Sequence, residues 1–186
     1  MDKILDFIKK HIGIIKVYLF IGVIALIAII FINFIYAPIV VVGDSMNPSL
    51  RDGDVVGVNM LATVFDDIER FDIVCFPYKY NKNSYYIKRV IGLPGDTIEI
   101  INDEIFINGE KLLEFYGYYD KEVTSKYGDI GPINLSIDEY FVMGDNRNVS
   151  DDSRSEDIGV VKKETITGVA TFRFWPFDGI GSLEYQ

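Results

Sequence analysis

The sequence predicts a mostly β fold, in which an antiparallel, β-rich extracytoplasmic domain follows a single N-terminal transmembrane helix. Three observations support this prediction: residues 17–36 carry no charge, short strand-like segments fill the chain after them, and Tyr and Phe are abundant, with 12 and 13 copies. Aromatic residues favour strands, and an uncharged apolar run of this length is typical of a membrane span. Apolar residues make up 49% and charged residues 25% of the 186 residues, which is typical of a folded chain.

The first element is the apolar run at residues 17–36, which as a helix spans about 30 Å, the thickness of a bilayer's hydrocarbon core. Tyr18 and Tyr36 lie near its ends, where aromatic rings favour the membrane interface. Residues 1–16 carry four Lys and two Asp. The positive-inside rule therefore predicts that this basic flank is cytoplasmic and that residues 37–186 lie on the outer face of the cytoplasmic membrane.

Two other interpretations of the apolar run are less consistent with its sequence. A cleavable signal peptide has a shorter apolar stretch that is followed by a small-residue cleavage pattern. Here the run is long and ends in Asn-Phe-Ile-Tyr-Ala-Pro, without an A-x-A pattern. A buried core helix would be shorter or amphipathic. The run is therefore predicted to remain as a single-pass anchor, with the lipid bilayer as its partner.

The region after the anchor consists of short apolar segments separated by turn residues, as expected for strands. Asn108-Gly109 is a two-residue hairpin signal, and Pro94-Gly95 marks another boundary. Residues 113–138 have the least regular pattern and are expected to form an insertion or a long surface excursion. The predicted strands are Ile39–Val42, Val55–Asn59, Ile73–Phe76, Tyr85–Ile91, Thr97–Ile101, Glu104–Ile107, Tyr140–Met143 and Thr167–Phe174.

Composition argues against several classes of function. Beyond residue 16 the chain has 14 Lys and Arg against 26 Asp and Glu. This acidic balance argues against a nucleic-acid partner, because a phosphate backbone requires basic patches. Cys75 is the only cysteine, so no disulfide can form within the chain. No CxxC, HExxH or Cys/His cluster is present, so neither a metal nor a cofactor is expected. The sequence predicts no oligomeric state.

The position of the single histidine narrows the possible catalytic chemistry. His11 precedes the apolar run, so the predicted exterior domain lacks the base of Ser-His-Asp and Cys-His enzymes. A serine hydrolase there would need a neutral lysine as its base. Lys88 is the best candidate, because Tyr85–Ile91 has apolar residues on both faces and burial lowers the pKa of an ammonium. On pattern alone, an edge-strand lysine that reaches water is the commoner alternative.

Ser45 is the candidate nucleophile, in the segment Gly43-Asp44-Ser45-Met46-Asn47-Pro48-Ser49-Leu50. A serine at a strand exit can present its hydroxyl and nearby backbone N–H groups to a substrate carbonyl. An ordinary turn serine or helix cap is the alternative. Residues 144–154, which are dense in charged and amide groups, are predicted to form a bracing loop. A solvated loop is one alternative, and calcium binding is disfavoured by the spacing and by two arginines.

Four segments, in this order behind one anchor, resemble bacterial type I signal peptidases of the Gram-positive, single-span form. GDSMNPSL (43–50) resembles the nucleophile box of that family, and RFDIVCF (70–76) resembles the strand box that follows it. YYIKRVIGLPGD (85–96) resembles the general-base box, and GDNRNVSDDSR (144–154) resembles the supporting loop. Lysine rather than histidine at the base position is typical of the bacterial subtype.

This resemblance implies a membrane-bound serine endopeptidase that removes N-terminal signal peptides from exported preproteins. It implies Ser45 as nucleophile, Lys88 as general base, and a hydrogen bond from Ser150 that orients the amine of Lys88. The backbone N–H of Ser45 would form the oxyanion hole. Gly43 lacks the serine hydroxyl that supplies a second oxyanion donor in some relatives, so a water molecule or another backbone N–H is expected to replace it.

The resemblance also implies supporting and substrate-binding residues. Asp152 would be structural and pair with Arg154, with Arg89 as a second candidate partner. Trp175 and Phe177 have core packing and lipid contact as alternative roles. Cys75 has two interpretations, as a small buried residue or as part of a shallow pocket for the substrate side chain third before the cut. The substrate-pocket candidates are Val41, Met46, Cys75, Tyr86 and Ile87.

Two rival functions differ from signal-peptide processing in features that the sequence can test. A self-cleaving Ser-Lys peptidase of the repressor type would have a DNA-binding domain and no anchor, which is the reverse of what the chain contains. A catalytically idle, membrane-tethered β-domain that binds a partner is the non-enzymatic rival. The presence of both Ser45 and Lys88 disfavours that second function.

Overall fold

The chain forms two compact units, Met1–Ala37 and Pro38–Gln186. The predicted excursion at 113–138 includes residues 121–125, which lie outside the described residues. The residues described in this computed structural model are 2–34, 36–65, 67–78, 81–120 and 126–183.

The first unit consists mainly of one helix, α1 (Asp2–Phe34). Within it, His11–Ile30 is a 20-residue stretch with a mean hydropathy of 2.7, long and apolar enough to cross a membrane. None of this stretch is buried inside the protein, as expected for side chains that lipid is to cover. The helix includes most of the basic flank and ends at Phe34, so Tyr36 of the predicted span lies in a strand instead.

Short strands follow α1 and pair antiparallel throughout the described part of the chain. The helical elements after α1 are α2 (Ala62–Phe65) and two 3-10 turns, Lys163–Thr165 and Phe177–Gly179. The strands are β1 (Tyr36–Val40), β2 (Val55–Asn59), β3 (Ile73–Tyr78), β4 (Asn81–Gly92), β5 (Thr97–Ile101), β6 (Glu104–Ile107), β7 (Glu110–Lys111), β8 (Ile130–Asn134), β9 (Glu139–Met143), β10 (Val161–Lys162), β11 (Gly168–Trp175) and β12 (Gly181–Ser182).

The described strands form two sheets. The larger has the order β1-β2-β11-β3-β4-β9-β10, with β12 paired to β11, and the smaller has the order β7-β6-β5-β8. Every predicted strand overlaps an observed one, which confirms the mostly β fold class. The turn Asn108-Gly109 joins β6 to β7, and both residues have positive φ, 53° and 83°, as a type I′ turn requires.

The expectation of a long surface excursion at residues 113–138 is wrong in part. Ile130–Asn134 forms β8, which pairs with β5 at the edge of the smaller sheet. The sequence pattern did not predict this strand, because Gly131 and Pro132 interrupt it. The strand can form because proline is tolerated at a sheet edge. Tyr118 forms an isolated bridge with Asn146, so the described residues before β8 are also tied to the rest of the domain.

The strand β4 determines where the candidate residues lie, because it is flanked on both sides. In its register, Lys88 pairs with Val74 of β3 and Arg89 pairs with Met143 of β9. Alternate residues of β4 enter different core clusters, with Ile87 in one and Val90 in another. A charged residue in the middle of this strand is therefore covered by sheet neighbours rather than by water.

Candidate active site

Lys88 is buried beside Ser45. Only 3% of Lys88 is exposed, and its Nζ donates hydrogen bonds to Ser45 Oγ at 2.8 Å and to the carbonyl oxygen of Ile87 at 3.1 Å. The ring of Tyr86 lies 5.5 Å from the same nitrogen. The position of this amine on a central strand thus rules out an edge-strand lysine extended into water.

The electrostatic surroundings of Lys88 act in opposite directions on its basicity. Burial lowers the pKa of the Lys88 ammonium from 10.5 to about 8, because the charged form loses its hydration. The carboxylates of Asp152, Asp151 and Asp145 oppose this shift, and Arg154 adds to it. The neutral, proton-accepting form of the amine is therefore well populated near pH 8.

A tight turn after β1 presents Ser45 to the lysine. Met46 and Leu50 are almost fully buried in the core, and Leu50 N–H donates to Met46 O at 2.9 Å. Asn47 N–H donates to Asp44 O at 3.1 Å, which closes the turn around Ser45. The two buried apolar side chains hold this turn in place, because moving it would expose both to water.

Backbone donors near Ser45 differ in their availability. Gly43 N–H donates to Asp52 Oδ1 at 2.8 Å, so this amide is already engaged. Gly43 has a φ of +83°, which favours glycine and makes a serine there strained. Among the described residues no acceptor is found for Ser45 N–H. One backbone donor at Ser45 thus remains available for a developing oxyanion.

Ser150 does not make the hydrogen bond to Lys88 that the resemblance implies. Its Oγ is buried and has no hydrogen-bond partner among the described residues, and Lys88 Nζ donates to Ser45 and Ile87 instead. The Ser150 hydroxyl lies against Gly144 instead, where a Cβ would come within 2.2 Å of it. Gly144 therefore has to lack a side chain, a requirement that the sequence analysis did not identify.

Asp152 and Arg154 form a two-bond ion pair within the loop. Arg154 Nε lies 2.8 Å from Asp152 Oδ1, and its Nη2 lies 2.9 Å from Oδ2. Arg89, the second candidate partner of Asp152, pairs with Asp145 instead, at 2.8 and 2.7 Å. The strand register decides this, because Arg89 is directly opposite Met143 and so points at the loop start rather than at Asp152.

A cleft of about 810 Å³ opens beside Ser45 and Lys88. Four of the predicted substrate-pocket residues line it: Val41, Met46, Tyr86 and Ile87. Cys75 does not, which corrects its assignment as a pocket residue. It lies opposite Ile87 across β3 and β4 and is fully covered by the core. Burial raises the pKa of its thiol to about 12, so the thiol is inert.

The loop also contributes residues to the cleft that the sequence analysis did not single out. Val149 and Asp151 line it. The Asp151 carboxylate is held by Lys126 and by Tyr127, whose Oη donates at 2.9 Å. No local pattern identifies the role of Asp151, because these contacts come from a segment about 25 residues away. Within the described part of the chain, no three His, Cys, Asp or Glu are grouped to hold a metal.

Known proteins with similar sequences point to one family. Residues 14–175 match the family profile described as signal peptidase, peptidase S26. A signal peptidase I of Bacillus amyloliquefaciens is 42% identical over 158 residues, which cover 82% of this chain and 83% of that protein. Signal peptidase I S of Bacillus subtilis (strain 168) is 42% identical over 157 residues, which cover 81% of this chain and 83% of that protein.

A solved structure is also similar in sequence. The crystal structure of a signal peptidase I from Enterococcus faecalis V583 is 38% identical and covers 57% of this chain and 98% of its own, with a TM-score of 0.48. The family profile covers most of the chain, and both Bacillus relatives match it over about four fifths of their length. The chain therefore belongs to the signal peptidase I family, the serine endopeptidases of peptidase family S26.

Proposed function

We propose that this chain removes N-terminal signal peptides from exported preproteins, with Ser45 as the nucleophile and neutral Lys88 as the general base. The observation that carries the proposal is the 2.8 Å contact between Lys88 Nζ and Ser45 Oγ. Membership of the signal peptidase I family supports the substrate class. A lysine that is only 3% exposed can act as a base near neutral pH, because burial disfavours its protonated form.

In the acylation step, Lys88 Nζ accepts the proton of Ser45 Oγ while that oxygen attacks the scissile carbonyl carbon. The carbonyl oxygen becomes an oxyanion, which Ser45 N–H stabilises by donating a hydrogen bond. The C–N bond then breaks, and protonated Lys88 returns its proton to the departing amine. The signal peptide is left as an ester on Ser45, and the mature protein leaves with a new N-terminus.

Deacylation reverses the roles of the leaving group and the nucleophile. A water molecule attacks the ester carbonyl while Lys88 accepts one of its protons. The C–O bond to Ser45 breaks, and Lys88 gives that proton to Ser45 Oγ. The signal peptide leaves with a new carboxyl group, which gives its remaining proton to the solvent, and the lysine is neutral again, so no cofactor is consumed.

The cleft suggests why small residues would precede the cut. Val41 and Met46 line the cleft and are only 3% and 1% exposed, so the part of the lining that they form is apolar and closely packed. Ile87 and Tyr86 form the neighbouring wall. An apolar wall of this kind excludes large side chains by volume, which suits substrates with the A-x-A-like pattern of signal peptides.

We propose that α1 anchors the enzyme in the cytoplasmic membrane, with residues 1–16 cytoplasmic, the part of α1 from residue 17 to Phe34 in the bilayer and the domain that begins with β1 outside. The basic flank supports this orientation, and the apolar stretch His11–Ile30 supports the span. Anchoring confines the enzyme and its membrane-held substrate to one surface, which raises their effective concentration.

The proposal is tested by incubating the detergent-solubilised full chain with a purified preprotein that carries a signal peptide. Ser45→Ala and Lys88→Ala should each abolish cleavage while circular dichroism remains unchanged. Ser49→Ala is the matched control, because Ser49 lies in the same turn but its hydroxyl faces Arg89 rather than Lys88. Cleavage at the wild-type rate by either Ser45→Ala or Lys88→Ala would refute the proposed dyad.

A further inference from the structure

A buried ion pair joins residues 112–120 to the loop at 144–154. Arg147 is completely buried, and its Nη1 and Nη2 donate to the two carboxylate oxygens of Glu114 at 2.5 and 2.6 Å. A buried guanidinium needs such a partner, because an unpaired charge out of water is costly. Two parallel bonds also fix the orientation of the guanidinium plane. None of the proposed steps of the reaction uses this pair.

Backbone hydrogen bonds fasten the same two segments together. Tyr118 N–H donates to Asp145 O at 2.7 Å, and Arg147 N–H donates to Tyr118 O at 2.9 Å. The ring of Tyr116 lies 4.1 Å from the guanidinium carbon of Arg89, which itself pairs with Asp145. The segment is therefore attached to the loop along its length. Among the described residues, Glu114–Arg147 is the only ion pair between the segment and the loop.

The loop held in this way contacts the backbone of Ser45. Asn146 N–H donates to Ser45 O at 3.0 Å. Arg147 Nε donates to Gly144 O at 3.0 Å. Gly144 is packed so closely on the turn that a Cβ there would lie 2.4 Å from Ser45 O. A displacement of the Arg147 side chain would therefore move the backbone at Gly144 and at Arg147, which lie on either side of the Asn146 contact with Ser45.

We infer that Glu114 is a positioning residue, which through Arg147 holds the loop that fixes the backbone of Ser45. Glu114 does not line the cleft and touches neither Ser45 nor Lys88, so its effect is indirect. The inference rests on the proposed function, because it takes Ser45 as the nucleophile. Misplacing a nucleophile by about 1 Å lowers a rate on the order of 100-fold. Glu114 therefore controls kcat rather than the affinity for substrate.

Two substitutions disturb the Glu114–Arg147 pair in different ways, one by removing a charge and the other by crowding both side chains. Glu114→Gln keeps the size of the side chain but removes its charge. Gly117→Ala keeps both charges and adds a methyl group at a point 2.5 Å from Glu114 Oε1 and 2.8 Å from Arg147 Nη2. Gly128→Ala is the matched control, because it adds the same group in the same part of the chain with no atom within 4 Å. Glu104→Gln is a second control, which removes an exposed ion pair in the β6–β7 hairpin.

The experiment measures kcat and KM of the detergent-solubilised full chain on a labelled preprotein over a range of pH. Glu114→Gln and Gly117→Ala should each lower kcat about 10- to 100-fold with KM nearly unchanged. The apparent pKa in kcat/KM should also shift, because the loop that moves carries Asp145, Asp151 and Asp152, whose carboxylates act on the pKa of Lys88. Gly128→Ala and Glu104→Gln should behave like the wild type.

The pH profile separates positioning from simple loss of folded protein, because unfolded molecules contribute no activity and cannot move an apparent pKa. Wild-type kcat in both site variants would overturn the inference. A fall in kcat that equals the loss of folded protein, with the pKa unmoved, would overturn it as well and leave Glu114 purely structural. Both results leave the dyad intact if Ser45→Ala is inactive, whereas an active Ser45→Ala would overturn the inference and the proposed function together.

Discussion

Lys88 has its unusual basicity because of its place in the sheet. Lys88 lies in the middle of β4, which has β3 on one side and β9 on the other, and its buried amine has lost most of its hydration. Three carboxylates, Asp152, Asp151 and Asp145, keep the amine from becoming still less basic. A base with a pKa near the working pH combines a sufficient neutral fraction with a sufficient affinity for protons.

The pH dependence of cleavage should report the protonation of Lys88. Below about pH 8 the amine is protonated and cannot accept the Ser45 proton, so kcat/KM should fall about tenfold for each pH unit of acidification. Above pH 8 the rate should level off. The measurement is kcat/KM from pH 6 to 10 on a substrate without titratable groups near the cut. A rate that is constant from pH 6 to 8 would exclude Lys88 as the base.

Burial of Lys88 should cost stability in a defined pH window. The folded pKa of about 8 lies below the unfolded value of 10.5, so folding expels a proton between these values and stability rises with pH there. At pH 7 the penalty is complete, at roughly 3 kcal/mol. Lys88→Met should therefore be inactive but more stable than the wild type at pH 7, by up to that amount.

Urea unfolding of Lys88→Met and of the wild type, at pH 7 and near pH 10.5, measures this difference. The gain should shrink to a small fraction as the pH rises toward 10.5, where the folded lysine is neutral and half of the unfolded lysines are neutral as well. An equal stability difference at both pH values would mean that it comes from packing and not from the charge of Lys88.

Cys75 and Ile87 face each other across two strands but should have different effects on specificity. Ile87 lines the cleft, so Ile87→Ala should favour substrates with Val or Leu at the third position before the cut over those with Ala. A methylene in such a site is worth about 1–3 kcal/mol. Cys75→Ala should lower stability and change kcat/KM for Ala, Val and Leu substrates in parallel, because Cys75 is core. A selective gain in kcat/KM with the Leu substrate in Cys75→Ala would indicate that Cys75 does line the pocket.

At the scale of elements, the loop at 144–154 is held by ion pairs rather than by a regular strand or helix. Asp152 is completely buried and accepts bonds from Gly144 N–H and from Arg154. Arg147 and Arg89 are paired with Glu114 and Asp145. Each of these charges depends on its partner, since removing one member leaves the other buried and unpaired.

Asp152→Ala should therefore affect stability more than chemistry. It leaves Arg154 without its partner, at a cost of roughly 3–5 kcal/mol in the free energy of unfolding. Asp151→Ala is the matched control, because the Asp151 side chain is 58% exposed and a surface pair contributes only about 0–1 kcal/mol. Urea unfolding of both variants checks the difference. A fully stable but inactive Asp152→Ala would instead assign Asp152 a direct part in the reaction.

At the scale of the whole molecule, the basic flank before the apolar helix and the β domain after it carry opposite net charges. Two formal positive charges in excess precede the span, whereas the remainder has 14 basic against 26 acidic residues. The basic flank favours the negative face of the inner leaflet. The acidic β domain experiences no such attraction, which is consistent with the proposed orientation.

Protease added to intact cells that have been stripped of their wall should reach the exterior domain. An epitope at the C-terminus should be lost at the rate of a known outer-face protein, and an epitope at the N-terminus should persist until the membrane is opened. The converse pattern, with residues 37–186 protected, would contradict both the orientation and the proposed access to exported substrates.

Local patterns in the sequence were sufficient for the apolar helix, for eight of the twelve strands and for the hairpin turn at Asn108-Gly109. These features depend on residues close together along the chain, which is why periodicity, charge and turn residues predict them. The same holds for the candidate status of Ser45 and Lys88, each of which stands out in its own segment. The strand β8 was missed because Gly131 and Pro132 conceal its pattern.

The contacts that make these candidates into a site were decided only by the tertiary structure. Ser45 and Lys88 are 43 residues apart and meet at 2.8 Å, and Glu114 reaches Arg147 across 33 residues. The register of β3 and β4 buries Cys75 below the cleft. Such placements follow from strand pairing and from the need of each buried charge for a partner, and no short stretch of sequence contains either.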